Sequence, residues 1–97
     1  IEGKIAVEGH TDDVPINTFA YPSNWDLSAA RSVSVVRRML NISTLRPDRV
    51  TASGFADTRA QAINSTAEGR ARNRRVEILV RQPLSENSTE FLRQTVQ

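Results

Sequence analysis

Lys4-Ile5-Ala6-Val7-Glu8-Gly9-His10-Thr11-Asp12 is the stretch of sequence that decides the fold of this chain. Its first six residues alternate, with Ile5 and Val7 on one face and Ala6 and Glu8 on the other. Such period-two alternation is typical of a β-strand, so we predict a strand over residues 4–9. Asp12 follows directly, which places a carboxylate at the exit of the strand.

The next segment combines a loop and a helix. Residues 11–22 contain two prolines and few periodic apolar side chains, and loops of this length in small domains are often binding surfaces. Ser23 and Asp26 then resemble a capping box, with Asp in place of the usual Glu. Apolar residues recur at helical spacing afterwards, which predicts an amphipathic helix over residues 24–41 with Arg31 off the apolar stripe.

The remainder of the chain predicts further strands and a short helix. We expect a strand over residues 49–55 and a helix over residues 66–72, capped by the Ser65 and Glu68 pair. Residues 74–81 alternate cleanly and predict a strand with one covered face. The covered face would carry Val76, Ile78 and Val80, and the other face Arg75, Glu77 and Arg81. Strands separated by helices indicate an α/β (layered α+β) fold, a small mixed β-sheet with helices packed on one face.

Length and composition restrict the possibilities further. A chain of 97 residues can build one modest core, and we assign residues 1–82 to a single domain, followed by a tail over residues 83–97 that could form a short terminal helix. The absence of cysteine excludes disulfides, thiolate zinc sites and a cysteine nucleophile. Because the sequence starts at Ile1 inside a strand pattern, we expect it to be a piece of a longer protein.

The net charge of +2 hides an excess of arginine in the later part of the chain. These residues are Arg70, Arg72, Arg74, Arg75 and Arg81. A basic cluster of this kind could meet nucleic acid, an acidic lipid surface or a carboxylate-bearing glycopeptide. Glu68 and Glu77 interrupt the run, and the few aromatic residues are not interleaved as stacking platforms, which argues against a nucleic-acid-binding module.

Asp12 and Arg31 form the most informative pair of charged residues. A carboxylate accepts hydrogen bonds from an ammonium group and an arginine binds a carboxylate bidentately, so together they suit both ends of an amino-acid backbone. Spacing alone also allows Asp12 to cap a turn and Arg31 to be solvated or to pair with Asp12. Asn24 could fix the loop or bond a ligand.

His10 lies beside two carboxylates and therefore invites a metal or acid–base interpretation. Without a second histidine, a cysteine or a wider carboxylate cluster, a metal ion would lack ligands. Nothing in the sequence resembles a nucleophile elbow. We expect His10 to pack at the strand exit, with no metal site and no catalytic residues.

Three separated motifs resemble a known family. They are residues 9–12 (Gly-His-Thr-Asp), residues 27–31 (Leu-Ser-Ala-Ala-Arg) and residues 68–78 (Glu-Gly-Arg-Ala-Arg-Asn-Arg-Arg-Val-Glu-Ile). In this order they are similar to the peptidoglycan-binding domain shared by outer-membrane protein A, the peptidoglycan-associated lipoprotein and the flagellar stator B subunits MotB and PomB. Residues 13–16, 23–26 and 56–59 look most like the stator branch. The first strand and helix of the family fold are not present ahead of Ile1.

The resemblance implies a function and a set of site residues. It implies a non-catalytic domain without cofactors that binds the diaminopimelate-containing stem peptide of peptidoglycan and anchors a flagellar stator to the cell wall. The partners implied are a stator A subunit, through a membrane segment outside this sequence, and a second copy of the chain. The location implied is the periplasmic side of the inner membrane; an outer-membrane-associated wall binder is the alternative within the family. The implied binding residues are Thr11, Asp12, Asn24, Leu27, Arg31 and Arg74.

Overall fold

The computed structural model describes residues 3–82 and 90–96. Its elements, in chain order, are strand β1 (Lys4–His10), helix α1 (Asn24–Ile42), strand β2 (Val50–Gly54), helix α2 (Ala67–Asn73), strand β3 (Arg75–Gln82) and strand β4 (Glu90–Val96), with a 3-10 turn at Pro47–Arg49 before β2. No helix among the described residues is long and apolar enough to cross a membrane.

The four strands form one mixed sheet in the order β2-β1-β3-β4. β1 pairs with β2 in parallel and with β3 antiparallel, and β3 pairs with β4 antiparallel. Since β1 lies at the centre, its exit brings Asp12 close to the ends of both neighbouring strands. The α/β fold with a small mixed sheet, expected from the alternating pattern, is confirmed.

Helix α1 packs closely on the centre of the sheet because small residues meet at the contact. A Cβ atom added at Gly9 would lie 2.1 Å from the backbone oxygen of Ser28, and one added at Gly54 would lie 2.6 Å from the backbone nitrogen of Ala29. Ser32 is fully buried and donates a hydrogen bond to the Ser53 carbonyl. The first turns of α1 are therefore held at the exits of β1 and β2.

The apolar core lies between α1 and the sheet. Ile5, Val7, Leu45 and Val76 are buried, and partly buried apolar side chains of α1, β2 and β3 surround them. This packing covers the face of β3 that carries Val76, as the alternation predicts. The hydrophobic effect thus fixes which face of the sheet meets the helix.

The start of α1 agrees with the prediction, whereas the start of α2 is shifted. The Ser23 hydroxyl accepts a hydrogen bond from the Asp26 backbone N–H, as a capping box requires. At α2 the cap is Thr66, whose hydroxyl accepts from the Gly69 N–H, and not Ser65. Gly69 lies so close to Ile63 that an added Cβ would clash with its carbonyl oxygen, so this position in the first turn of α2 requires glycine.

The C-terminal segment corrects a second prediction. Residues 90–96 form strand β4 and not a terminal helix, and the rest of the expected tail helix lies outside the described residues. The apolar spacing in this short segment is ambiguous between the two structures. Pairing with β3 decides between them, because the backbone N–H and C=O groups along the outer side of β3 need hydrogen-bond partners.

A third correction concerns the other face of the sheet. Alternation places Arg75 and Glu77 on an open face, yet they are only 3% and 1% exposed. The loop after β2 covers them, since Arg75 donates to the Arg59 carbonyl at 2.9 Å. Arg93 of β4 reaches the Glu77 carboxylate from the edge of the sheet. Polar side chains are therefore buried on both faces of the sheet near Asp12: Ser28 and Ser32 on the face that α1 covers, and Arg75 and Glu77 on the opposite face.

Candidate functional site

Segments distant in the sequence meet at the exit of β1. The Thr11 N–H donates to the Ala56 carbonyl at 2.8 Å, which joins β1 to the loop after β2. The Asn24 amide of α1 donates to the Val14 carbonyl at 3.1 Å and lies 3.5 Å from the Asp12 carbonyl. These contacts hold the Asp12 loop against the first turn of α1.

Asp12 is nearly buried, and its carboxylate is already partnered. Oδ1 accepts a hydrogen bond from the Val14 N–H at 3.0 Å, and Oδ2 accepts one from Arg74 Nη1 at 2.8 Å. An ionised carboxylate offers about four acceptor positions, so it retains capacity for a ligand. The charged partner of Asp12 is therefore Arg74, which follows α2. The spacing in the sequence had left open a pair between Asp12 and Arg31, and the structure does not form that pair.

Arg31 lies two turns along α1 from Asn24. The spacing of Asn24, Leu27 and Arg31 puts the three residues on one side of the helix, and a rise of 1.5 Å per residue separates the first from the last by roughly 10 Å along the axis. Leu27 and Arg31 are half-buried. Arg31 makes no hydrogen bond or ion pair with the described residues, so its guanidinium is available.

The six residues implied by the resemblance therefore divide into three pairs. Thr11 and Asn24 are structural in this conformation: the Thr11 hydroxyl donates to the Asp12 carbonyl at 2.8 Å, and the Asn24 amide holds the loop. Asp12 and Arg74 form the charged contact, and Leu27 and Arg31 add a half-buried apolar side chain and a cation that makes no ion pair with the described residues. Their role as wall ligands stays a prediction.

Sequence reasoning missed a buried polar cluster next to this site, formed by His10, Arg75, Glu77 and Arg93. Arg75 Nε and Nη2 each lie 2.8 Å from Glu77 Oε2, and Arg93 donates to Oε1. The His10 ring stacks on Phe55 with centroids 5.4 Å apart. The signal that could have revealed the cluster is the antiparallel register, which places His10 directly opposite Arg75.

Burial and neighbouring charges move two pKa values in this cluster. Burial, reinforced by the Arg75 charge, lowers the pKa of His10 from 6.5 to about 4, so the imidazole is neutral at pH 7. Its Nε2 lies 3.4 Å from Glu77 Oε2 but is not aligned for a hydrogen bond. Burial would raise the pKa of Glu77, but the hydrogen bonds from Arg93 and Arg75 outweigh it and hold that pKa below its usual value.

We expect acid to destabilise this domain from pH 6.5 downwards. The unfolded chain binds a proton at His10 below pH 6.5, whereas the folded chain resists protonation until about pH 4, so the unfolding free energy falls as the pH falls between these values. The loss at His10 is on the order of 3 kcal/mol. The lowered pKa of Glu77 adds a further loss at lower pH, because the folded state favours the ionised carboxylate.

Urea unfolding between pH 7 and pH 4 measures this dependence. His10→Gln removes the titrating group and should flatten the upper part of the curve, from pH 6.5 to about pH 4.5. A His10→Gln curve that kept the slope of the unsubstituted protein across that range would contradict the assignment.

Several arginines of the basic cluster make hydrogen bonds or ion pairs within the domain. Arg70 donates to the Asn64 carbonyl at 2.9 Å, and Arg74 and Arg75 pair with the carboxylates of Asp12 and Glu77. These guanidinium groups therefore do not form a free basic stripe, which weakens the nucleic-acid alternative. Among residues 3–82 and 90–96, no group of three metal-ligating side chains could hold a metal ion.

Comparison with known proteins gives a family match over most of the chain. The OmpA family model, described as "OmpA family", matches residues 2–74. Motility protein B of Bacillus subtilis is 40% identical over 76 residues, which are 78% of this chain and 29% of that protein. The chain spans 36%, 29% and 19% of the length of the first three curated relatives it matches.

Two solved structures share the fold. The putative MotB like protein from Desulfovibrio vulgaris superposes with a TM-score of 0.75 at 38% identity. The superposition covers 90% of this chain and 54% of that protein's chain. The cell wall anchor of the T6SS from Pseudomonas aeruginosa gives a TM-score of 0.72 at 51% identity, over 80% of this chain and 54% of its own.

Proposed function

Because this chain belongs to the OmpA family, we propose that it is a non-covalent peptidoglycan-binding module. The observation that carries the proposal is the Arg74–Asp12 ion pair at the exit of β1, with Arg31 two turns along α1 from Asn24, which holds the Asp12 loop. The similarity to a protein named as a cell wall anchor supports the same function. The module needs no cofactor, since binding rests on charge and shape alone.

The charges of the site suit the stem peptide of the wall. Arg31 binds a free carboxylate of diaminopimelate through a bidentate contact, and Asp12 accepts hydrogen bonds from its ammonium group in the positions that Arg74 and Val14 leave unused. Arg74 holds the Asp12 carboxylate in place and shares its charge, whereas Arg31 makes no ion pair with the described residues. The contact to the carboxylate is therefore expected to contribute more than the contact to the ammonium group.

Apolar side chains are exposed in the loop and the helix turn that follow Asp12. Four large apolar side chains of the loop and of the first turn of α1 are exposed: Val14, Phe19, Tyr21 and Trp25. Exposed apolar groups collected near one site indicate an interaction surface. They support contact with the glycopeptide beyond the single amino acid held by the charged residues.

Single substitutions at the two charged residues test the ligand contacts. Asp12→Ala and Arg31→Ala are each expected to reduce the binding free energy for a soluble diaminopimelate-containing stem peptide by about 1.5 to 3 kcal/mol, because each removes a charge-assisted hydrogen bond. Titration calorimetry measures the effect. Arg37→Ala, an exposed arginine on the same helix, serves as the control and should bind normally.

We propose further that the full-length protein is a flagellar stator B subunit. The similarity to Motility protein B supports this function. In this proposal the domain lies in the periplasm, tethered to the inner membrane and joined to a stator A subunit through a segment outside this sequence. Two copies in one complex would raise the effective concentration of wall contacts. Anchoring to the wall gives the motor a fixed support against which torque acts.

A full-length protein carrying Arg31→Ala tests the stator function. It should reach the membrane at normal levels but support little swimming, since an unanchored stator turns with its load. Normal swimming of this variant, with its level confirmed by immunoblot, would contradict either the ligand role of Arg31 or the stator function. Sacculus binding of the isolated domain decides which of the two fails.

The alternative within the family is anchoring of another envelope assembly. The 51% identity to the T6SS cell wall anchor is the observation that favours it, and an outer-membrane-associated wall binder would use the same site. Fractionation of the full-length protein separates a stator subunit, which resides in the inner membrane, from an outer-membrane-associated wall binder. Recovery in the outer membrane would support the alternative.

A further inference from the structure

Arg74 lies between two buried residues that are anchored to different parts of the fold. It follows the last residue of α2, and its backbone N–H donates to the Arg70 carbonyl at 3.1 Å. Asn73 before it is fully buried. The Asn73 side chain accepts hydrogen bonds from the N–H groups of Gln61 and Ala62 and donates to the Ala62 carbonyl and Asn64 Oδ1.

Arg75, on the other side of Arg74, is also buried and uses its whole guanidinium group. Nε bonds Glu77 Oε2 at 2.8 Å, Nη2 donates to the Arg59 carbonyl at 2.9 Å, and Nη1 lies 3.3 Å from the Asn73 carbonyl. A planar fork of five donors satisfies three separate acceptors in a way that the point charge of a lysine does not. The backbone on both sides of Arg74 is therefore fixed.

The Arg74 side chain, by contrast, is 48% exposed and reaches Asp12 Oδ2. We propose that Arg75 is a positioning residue for the wall-binding site, which fixes the backbone at Arg74 so that the Arg74 guanidinium lies on the Asp12 carboxylate. Arg75 itself does not touch the ligand. This inference rests on the proposed function of the site. It assigns a role in binding to Arg75, a buried residue that lies outside the site.

A double-mutant cycle distinguishes positioning from a general structural role. Arg75→Lys keeps the charge but loses the fork, and it should weaken binding of the soluble stem peptide by about tenfold, the equivalent of one well-placed hydrogen bond. If Arg75 acts through Arg74, Arg75→Lys causes no further loss in an Arg74→Ala background. Arg93→Ala is the matched control, because it removes the other partner of Glu77 and should lower the melting temperature while the folded protein binds normally.

The Arg74 guanidinium is also observable without ligand. In ¹⁵N NMR spectra Arg75→Lys should shift the Arg74 Nη signals towards those of a solvated arginine. Glu77→Gln should cause a smaller shift in the same direction, and it replaces Arg75→Lys in this experiment if that variant does not fold. Equal losses of binding in Arg75→Lys and Arg93→Ala, additive effects in the cycle, or unchanged Arg74 signals would overturn the inference. Failure of the unsubstituted protein to bind the stem peptide would instead overturn the proposed function.

Discussion

Replacing Glu77 with alanine is expected to destabilise the domain by about 3 to 5 kcal/mol, because it leaves the buried Arg75 charge without its carboxylate. Arg75 is 3% exposed and cannot regain water without disturbing the loop that covers it. The Arg93 guanidinium loses its partner as well. Urea unfolding at pH 7 measures the change.

The Arg46–Asp48 pair gives a matched control for this prediction. Its N–O distance is 2.9 Å, close to that of the Arg75–Glu77 pair, but both side chains are more than half exposed. An exposed ion pair contributes about 0 to 1 kcal/mol, so Asp48→Ala should be nearly silent. Similar losses for Glu77→Ala and Asp48→Ala would show that burial of the cluster is not what makes it important.

The bounds predicted for β1, α1, β2, α2 and β3 all agree with the structure to within one residue, and the strongest periodicity is that of β1, α1 and β3. These three each carry a regular apolar pattern over most of their length. In these elements the hydrophobic pattern and the local propensity favour the same structure. β4 lacks such a pattern, and only its pairing with β3 makes it a strand.

The buried cluster shows where an alternating pattern misleads. Arg75 and Glu77 occupy the polar positions of β3, and polar positions of a strand usually face solvent. Their charges compensate one another, so they can be buried by a loop. The residues that cover them lie in other parts of the chain, and a pattern within one strand carries no information about such partners.

The candidate site was predictable only in part. Asp12 and Arg31 stand out because Asp12 follows the predicted strand and Arg31 lies in the first turns of the predicted helix. The ion pair between Asp12 and Arg74 joins residues 62 positions apart, and such a contact depends on the sheet register and on the end of α2. Resemblance to the family pointed to Arg74, whereas its contact with Asp12 came from the structure.

The largest effect on function is expected when both charged contacts are removed. The double variant Asp12→Ala/Arg31→Ala should lose about 3 to 6 kcal/mol of binding free energy if the two contacts are independent. This corresponds to a reduction in affinity of about a hundredfold or more. The domain should stay folded, because Arg31 makes no ion pair with the described residues and Arg74, the partner of Asp12, is half exposed and can regain water.

Co-sedimentation with purified sacculi tests the peptidoglycan-binding function most directly. The unsubstituted domain should pellet with sacculi in a saturable manner and be released by soluble diaminopimelate-containing stem peptide. The double variant, shown by its melting curve to be folded, should remain in the supernatant. Equal sedimentation of the two proteins, or no sedimentation of the unsubstituted domain, would contradict the proposal that this site binds the cell wall.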